Sequence, residues 1–284
     1  MYKPSHEHRE LQLCELDILK AVDKICKDHK IEYFLYCGTL LGAVKFQGFI
    51  PWDDDLDIAM TRENLEKFML VASEELPNHL FLQSYLTDGY PYFMVKIRNS
   101  NTTFIEPHMR EMKVNHGVFI DIFTLDPVPA DIKERAKFQK KQIRLQTILH
   151  VGRIWRDRKK YSFFKRQIDL IISFISRSIS QDYLIKKYTE HVTQFEDQET
   201  GYIGNTAKAF GLKKSYRNED IWPLRELQFE DQLFPVPNNF DAVLRQDYGD
   251  YTATPPEEQQ NPNRHGNTYD VHQSYIHYLI SNRK

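Results

Sequence analysis

The sequence predicts an α+β fold: a mixed β-sheet core flanked by helices, with a basic helical insertion. Three observations predict it. Helical and alternating apolar periods interleave through the first 130 residues. Residues 131–190 then hold one glycine, no proline, and 16 Lys/Arg against 6 Asp/Glu, in a chain whose net charge is only -2. Short alternating runs and turn residues return after residue 190. The chain accordingly divides into a core (1–130), the basic helical insertion (131–195) and a C-terminal segment (196–284) expected to pack back on the core.

The elements follow in order. Leu11, Cys14, Ile18, Val22 and Ile25 recur at helical spacing, so residues 6–29 form the first helix. Glu32-Tyr33-Phe34-Leu35-Tyr36-Cys37 is strand-like and ends at Gly38, and Thr39 then caps a short helix through Phe46. Asp55-Leu56-Asp57-Ile58-Ala59-Met60 alternates polar and apolar, as a half-buried strand does. Thr61 caps the next helix, which sets Leu65, Phe68, Met69 and Ala72 on one face. Phe81–Leu86, Tyr92–Arg98 and Thr102–Glu106 are further strands, and Gly117–Phe123 is the most strand-like run of all. The insertion reads as helices from Ile132 to about Val151 and from Phe163 to about Ile179. A hairpin over Leu227–Val236, a short helix over Phe240–Gln246 and a proline-rich loop complete the chain.

Composition narrows the function. Hydrophobic residues make up 41% and aromatics 13% of the 284 residues, enough for a sizeable core and too many for a disordered chain. A net charge of -2 excludes a polycation built for nucleic acid. Cys14, Cys26 and Cys37 form no C-x-x-C pair, so neither a disulfide scaffold nor a cysteine-rich zinc site is expected. The opening MYKPSHEHRE has no apolar stretch behind a basic one, and no run approaches the ~18 apolar residues of a membrane span. The expectation is a reduced, cytoplasmic protein. The basic 131–190 segment, with its apolar Ile168–Ile175 run, adds the expectation of peripheral contact with an anionic membrane.

Pro51-Trp52-Asp53-Asp54-Asp55-Leu56-Asp57 carries the chemistry. Four carboxylates lie within five positions, and such crowding costs repulsion unless a cation is present. In a strand, Asp55 and Asp57 share a face, with backbones about 7 Å apart, so they can converge on one hard cation. Magnesium bound by few protein oxygens, with substrate phosphates completing the octahedron, suits this arrangement. An EF-hand is excluded, because counting from Asp53 puts Ile58 and Asn64 where glycine and glutamate are needed. Asp121, inside Phe119-Ile120-Asp121-Ile122-Phe123, is expensive in an apolar strand unless it pairs or binds metal. If its strand lies beside residues 55–60, Asp121 joins Asp55 and Asp57. Gly38-Thr39, between a strand and a helix, can offer backbone N–H groups and a hydroxyl to an anion.

Gly-Thr, an h-Asp-h-Asp-h strand and a distant h-Asp-h strand resemble the nucleotidyltransferase superfamily. More specifically, Tyr36–Val44 and Gly48–Ile58 resemble the LicD family, which includes phosphocholine transferases and is related to the fukutin group. The resemblance continues at Lys96–Asn99, Gly117–Asp126, Phe234–Pro237, Tyr248–Tyr251 and Pro255–Glu258, followed by His265. Lys45-Phe46-Gln47 departs from a basic run expected there. The resemblance implies a nucleotidyltransferase-like core, with residues 196–284 completing the site. It also implies transfer of a phospho-alcohol from a CDP-alcohol donor, CDP-choline above all, to a sugar hydroxyl, releasing CMP. The acceptor it implies is a lipid-linked cell-surface glycan precursor, such as a teichoic acid repeat or a lipooligosaccharide.

On that resemblance, Asp55 and Asp57 are expected to hold Mg2+ (or Mn2+), with Asp121 as general base or third ligand. Gly38 and Thr39 are expected to grip a phosphate oxygen. Lys96 and Arg98, on one strand face, are expected to clamp phosphate, and His265 to close over donor or acceptor. Trp52, Tyr36, Tyr90 and Tyr92 are candidates to face a choline cation. The competing readings are transfer of phosphoribitol, phosphoglycerol or phosphoethanolamine, a nucleotidyltransferase releasing pyrophosphate, and a non-enzymatic glycan-assembly partner.

Overall fold

Helix α1 (His6–His29) shows how the sequence builds the core. Ser5 accepts a hydrogen bond from the His8 N–H at 3.1 Å and starts it, and Lys30, in the left-handed region at φ 55, stops it. Leu11, Ile18, Val22 and Ile25 are buried along one face, while Cys14 is half-buried. The computed structural model describes residues 3–151, 162–208, 214–266 and 268–281. Part of the basic segment, residues 152–161, therefore lies outside the described residues.

Strands β1 (Phe34–Leu35), β2 (Asp57–Thr61), β3 (Leu80–Gln83), β4 (Val95–Asn99) and β6 (Val118–Pro127) form a sheet in the order β1-β2-β6-β4-β3. β2 and β6 are parallel, and the other neighbours are antiparallel. The far end of β6 also pairs with β7 (Tyr202–Asn205), which pairs with β8 (Ser215–Arg217). One apolar cluster runs from Leu11, Leu19 and Val22 of α1 through Ile58, Ile97, Ile120 and Ile122 of the sheet to Phe68 of α3 (Arg62–Glu75). Each such side chain contributes ~1.5–3 kcal/mol on burial, so the sheet's central strands are held from both their edges and their faces.

Some elements differ from expectation. The first strand is only Phe34–Leu35, and α2 (Cys37–Phe46) starts two residues before Thr39, because Cys37 adopts a left-handed φ of 47 and turns the chain early. β2 begins at Asp57 rather than Asp55. β3 is shorter than Phe81–Leu86, and β5 is only Thr103–Phe104, paired with β11 (Tyr269–Asp270). The Thr61 cap is present, its Oγ1 accepting from the Asn64 N–H at 3.3 Å.

Between β6 and β7 lie α4 (Ile132–Val151), α5 (Phe163–Ser178) and α6 (Gln181–Val192). Phe138 and Leu149 of α4 and Leu184, Tyr188 and Val192 of α6 build a second apolar cluster with Val128 and Phe93, to which α5 contributes no residue. After β8 come α7 (Asn218–Ile221), the hairpin β9 (Arg225–Phe229) and β10 (Gln232–Val236), α8 (Phe240–Tyr248) and α9 (Tyr275–Ser281). The hairpin falls where its sequence placed it, turning at Glu230 with φ 57. No helix among the described residues is long and apolar enough to cross a membrane.

Candidate active site

Pairing of β2 with β6 sets Asp57 opposite Asp121. The Asp121 N–H donates to the Leu56 carbonyl at 2.8 Å, and the Tyr36 N–H donates to the Asp57 carbonyl at 3.0 Å. Thr39 is buried in the first turn of α2, where its Oγ1 accepts the Asp57 N–H at 2.7 Å. The hydroxyl thus fixes the acidic strand instead of capping the helix. Asp55 stands just ahead of β2, and single oxygens of Asp55, Asp57 and Asp121 lie within 4.8 Å of one another. The three carboxylates are together, as their pattern predicted.

All three are buried, as are Asp53 and Asp54. Burial, followed by the charges of Asp55 and Asp57, pushes the Asp53 carboxyl well above the ordinary range. Burial and then Asp55 do the same to Asp57. Burial also raises Asp55, though His265 moderates it. Behind them, buried Glu15 of α1 is driven up by burial and by the same aspartates. So many carboxyl groups cannot all ionise without a countercharge. Asp57 Oδ1 is buried without a hydrogen-bond partner. Such an orphaned carboxylate oxygen is costly in protein alone and is what a hard cation satisfies. The donor set therefore fits a divalent ion of the magnesium or manganese type.

A cavity of about 1090 Å³ opens over this floor, lined by Gly38, Asp53, Asp55, Asp57 and His265 among others. Gly38 is small by necessity: a Cβ there would come within 2.5 Å of Asp53 Oδ2. His265 sits at the rim. Its backbone N–H and Nδ1 each lie 2.9 Å from an oxygen of fully buried Asp54, and Nδ1 is 3.4 Å from Asp55. Burial disfavours the charged ring, but the Asp54 hydrogen bond and the charges of Asp55 and Asp54 raise it to about 9. Asp54 thus ties the C-terminal loop to the acidic floor.

The opposite wall is basic, and sequence reasoning missed it. Lys208 and Lys214 line the cavity. Lys208 Nζ stands 4.5 Å from the centre of the Phe123 ring; burial opposes its charge, but Asp121 and Asp57 hold it above its usual value. Lys214 Nζ is 3.2 Å from both Cys37 Sγ and Asp247 Oδ2. Neither lysine falls in a recognisable motif; only their placement after β7 and before β8 brings them here. Lys45, by contrast, donates to the carbonyls of Tyr251, Thr252 and Ala253 at 3.0–3.1 Å and so pins that loop.

The strand face of Lys96 and Arg98, expected to be open for phosphate, is closed. Lys96 is 1% exposed, with Nζ 2.7 Å from Asp121 Oδ1 and 3.3 Å from Glu106 Oε1. Arg98 is fully buried, donating to Glu106, to Gln83 Oε1 at 2.5 Å and to the Gly117 carbonyl at 2.8 Å. Neither lines the cavity. Lys96 reaches the centre through Asp121, and Arg98 braces Glu106 beneath it. Tyr36 and Tyr90 are buried among other rings, and Tyr92 packs against Tyr90, whereas Trp52, Phe46, Tyr248 and Tyr251 line the cavity.

The family description "LicD/FKTN/FKRP, nucleotidyltransferase domain" matches residues 30–148, the stretch that contains β1, α2, the acidic floor and Asp121. The chain is 30% identical over 277 residues to the lipopolysaccharide cholinephosphotransferase LicD of Haemophilus influenzae, covering 94% of this chain and 97% of that protein. Shorter likenesses join it to two uncharacterized Rickettsia proteins. One, from R. typhi, is 43% identical over 68 residues (24% of this chain, 21% of that protein), and the other, from R. prowazekii, is 45% identical over 47 residues (16% and 18%). With near end-to-end coverage of one relative and a family match centred on the aspartate floor, the chain belongs to the LicD family.

Proposed function

We propose that the protein is a metal-dependent transferase that moves phosphocholine from CDP-choline to a sugar hydroxyl of a cell-surface glycan such as lipopolysaccharide, releasing CMP. The observation that carries this is the trio Asp55, Asp57 and Asp121, gathered within 4.8 Å beneath a cavity with a lysine wall. Acidic floor and basic wall together suit a dianionic pyrophosphate held through a cation on one side and ammonium groups on the other. The name of the H. influenzae relative supports choline phosphate as the group and lipopolysaccharide as the acceptor class.

In this reading the core is of the nucleotidyltransferase type, residues 131–195 are an insertion, and residues 196–284 complete the site. Asp55 and Asp57 hold Mg2+ (or Mn2+), with Asp57 Oδ1 buried and free of any hydrogen-bond or ion-pair partner among the described residues and Asp121 Oδ1 facing only the Lys96 ammonium. When bound, the ion neutralises charge developing on the pyrophosphate and orients it for in-line displacement. Lys208 and Lys214 take the outer phosphate oxygens. Gly38 lets the donor lie close to Asp53, and Thr39 keeps Asp57 in place. The sugar oxygen attacks the choline-bearing phosphorus, the bond from that phosphorus to CMP breaks, and the hydroxyl proton passes to Asp121. Lys96 orients that carboxylate. His265, protonated against Asp54, closes the rim. Trp52 and Phe46, whose rings lie 6.1 Å apart edge to face, offer an aromatic corner to the quaternary ammonium.

The test incubates the purified chain with CDP-choline, CDP-ethanolamine, CDP-glycerol, CDP-ribitol and, separately, nucleoside triphosphates, with Mg2+ or with EDTA. CMP release from CDP-choline, stopped by EDTA and restored by Mg2+, is expected. Preference for another CDP-alcohol moves the assignment within the family. Pyrophosphate release from a triphosphate replaces it with nucleotidyl transfer, and no nucleotide release from any donor replaces it with a non-enzymatic role in glycan assembly.

A further inference from the structure

Helix α5 is packed the wrong way round for a helix of a globular protein. Its buried positions are Asp169, Ser173 and Ser176. Apart from half-buried Ile172, its large apolar side chains, Phe163, Phe164, Ile168, Leu170, Ile171, Phe174 and Ile175, lie on the outside, with Phe164 78% and Phe174 75% exposed. At about 100° per residue these side chains sweep roughly 160° of the helix circumference, centred opposite the buried polar positions. A helix ordinarily turns such a stripe to the core. Here the polar stripe packs inward, and α5 leaves the stripe uncovered over a length of about 24 Å.

Charge indicates what covers it. On the same helical wheel, Lys165 falls on one border of the apolar arc and Arg166 and Arg177 on the other, all three exposed. Neighbouring α4 adds Lys133, Lys137, Lys140, Lys141 and Arg144, and residues 131–190 as a whole carry 16 basic against 6 acidic groups. An apolar arc edged by long basic side chains matches a surface that is apolar within and anionic at its rim. Phenyl and branched side chains enter the acyl boundary, and the ammonium and guanidinium groups stay level with the phosphates. A second copy of this chain would bring the same basic border against itself, which repulsion opposes.

We infer that the exposed apolar face of α5, with its basic borders, docks on an anionic phospholipid surface and holds the protein there as an interfacial helix. This binding is separate from the transfer chemistry, because none of these side chains lines the catalytic cavity. It deepens the membrane contact expected from charge alone by naming the helix and the face that make it.

The test floats the full chain with phosphatidylglycerol/phosphatidylcholine vesicles and with pure phosphatidylcholine vesicles, at low and high salt. Binding to the anionic vesicles, weakened by salt, is expected. The paired substitution Phe164→Glu/Phe174→Glu, at positions already in solvent, lowers the vesicle partition coefficient at least about tenfold while leaving CMP release from CDP-choline in free solution unchanged. The substitution Lys165→Gln/Arg166→Gln/Arg177→Gln weakens binding to the anionic vesicles and reduces its salt dependence. Light scattering is run alongside on both forms. A stable dimer that the phenylalanine substitution dissolves, with no vesicle binding by the parent, overturns the inference in favour of self-association. A monomer that ignores anionic vesicles also overturns it. The melting curve of the paired variant shows whether it is folded, and should it unfold, Ile171→Lys in its place carries the same expectation.

Discussion

At the scale of single residues, the centre depends on how its carboxylates divide their partners. Asp121 already has the Lys96 ammonium at 2.7 Å, whereas Asp57 Oδ1 has no partner. Cation affinity should therefore fall mainly on Asp57 and Asp55. Asp57→Asn is expected to lower turnover at least about 100-fold and to abolish the rise in melting temperature produced by Mn2+. The same variant, having lost one of several crowded buried charges, should melt no lower than the parent in EDTA. Asp121→Asn is expected to lose turnover comparably yet keep most of the Mn2+-induced shift. Thermal melts with and without Mn2+ check both, and a shift lost equally in the two variants would make Asp121 a ligand. These aspartates were legible because four acids stand among apolar neighbours. Lys208 and Lys214 were not, since a lone lysine in a connection carries no mark of what its chain path brings it near. Arg98 misled for a related reason: alternation shows which side chains share a face, but not whether Glu106 lies waiting on that face.

At the scale of elements, period decided what could be read. α1, α3, α4 and α5 are long and capped or strongly patterned, and they lie where their spacing put them. β7 and β8, of four and three residues, are too short to show alternation and exist because β6 offers β7 an edge and β7 offers one to β8. The backbones approach closely where Gly117 leads into β6 beside the end of β4. A side chain added at Gly117 would collide with the Asn99 carbonyl at the end of β4. Gly117→Ala is expected to cost about 1–3 kcal/mol, read from the denaturant midpoint, because backbone rather than a flexible side chain must move. An unchanged midpoint would show that the strand ends part freely. The same substitution should depress turnover, since the pairing that sets Lys96 opposite Asp121 begins at the next residue, where Val118 stands opposite Asn99.

At the scale of the whole molecule, the interior carries two opposed sets of charge. The floor aspartates and Glu15 are strained by burial beside like charges. Glu106 is the reverse case: burial works against its carboxylate, but Lys96 and Arg98 outweigh this and hold it at about 2. A carboxyl depressed in the folded state stabilises the protein above its unfolded value, and that stability drains away as pH falls toward the folded one. Between about pH 4.5 and about 2, Glu106 should therefore withdraw on the order of 3 kcal/mol. In Glu106→Gln that share of the acid limb should be missing, which urea titrations at pH 3 and pH 6 measure; parallel pH dependence in parent and variant would count against it. The α+β architecture was legible from interleaved periods, and the aspartate floor from its motif. The inverted packing of α5 was not, because a helical wheel shows that a helix has two faces without saying which one the protein keeps for itself.

The side-by-side placement of Asp57 and Asp121 on adjacent parallel strands has one more implication. Their spacing is held by the nearest backbone amides and not by the long stretch of polypeptide connecting them. Within that connection the exposed turn near Arg110 can grow, shrink or change sequence while the two carboxylates stay equally far apart, much as the rungs of a ladder keep their gap whatever rope joins its ends.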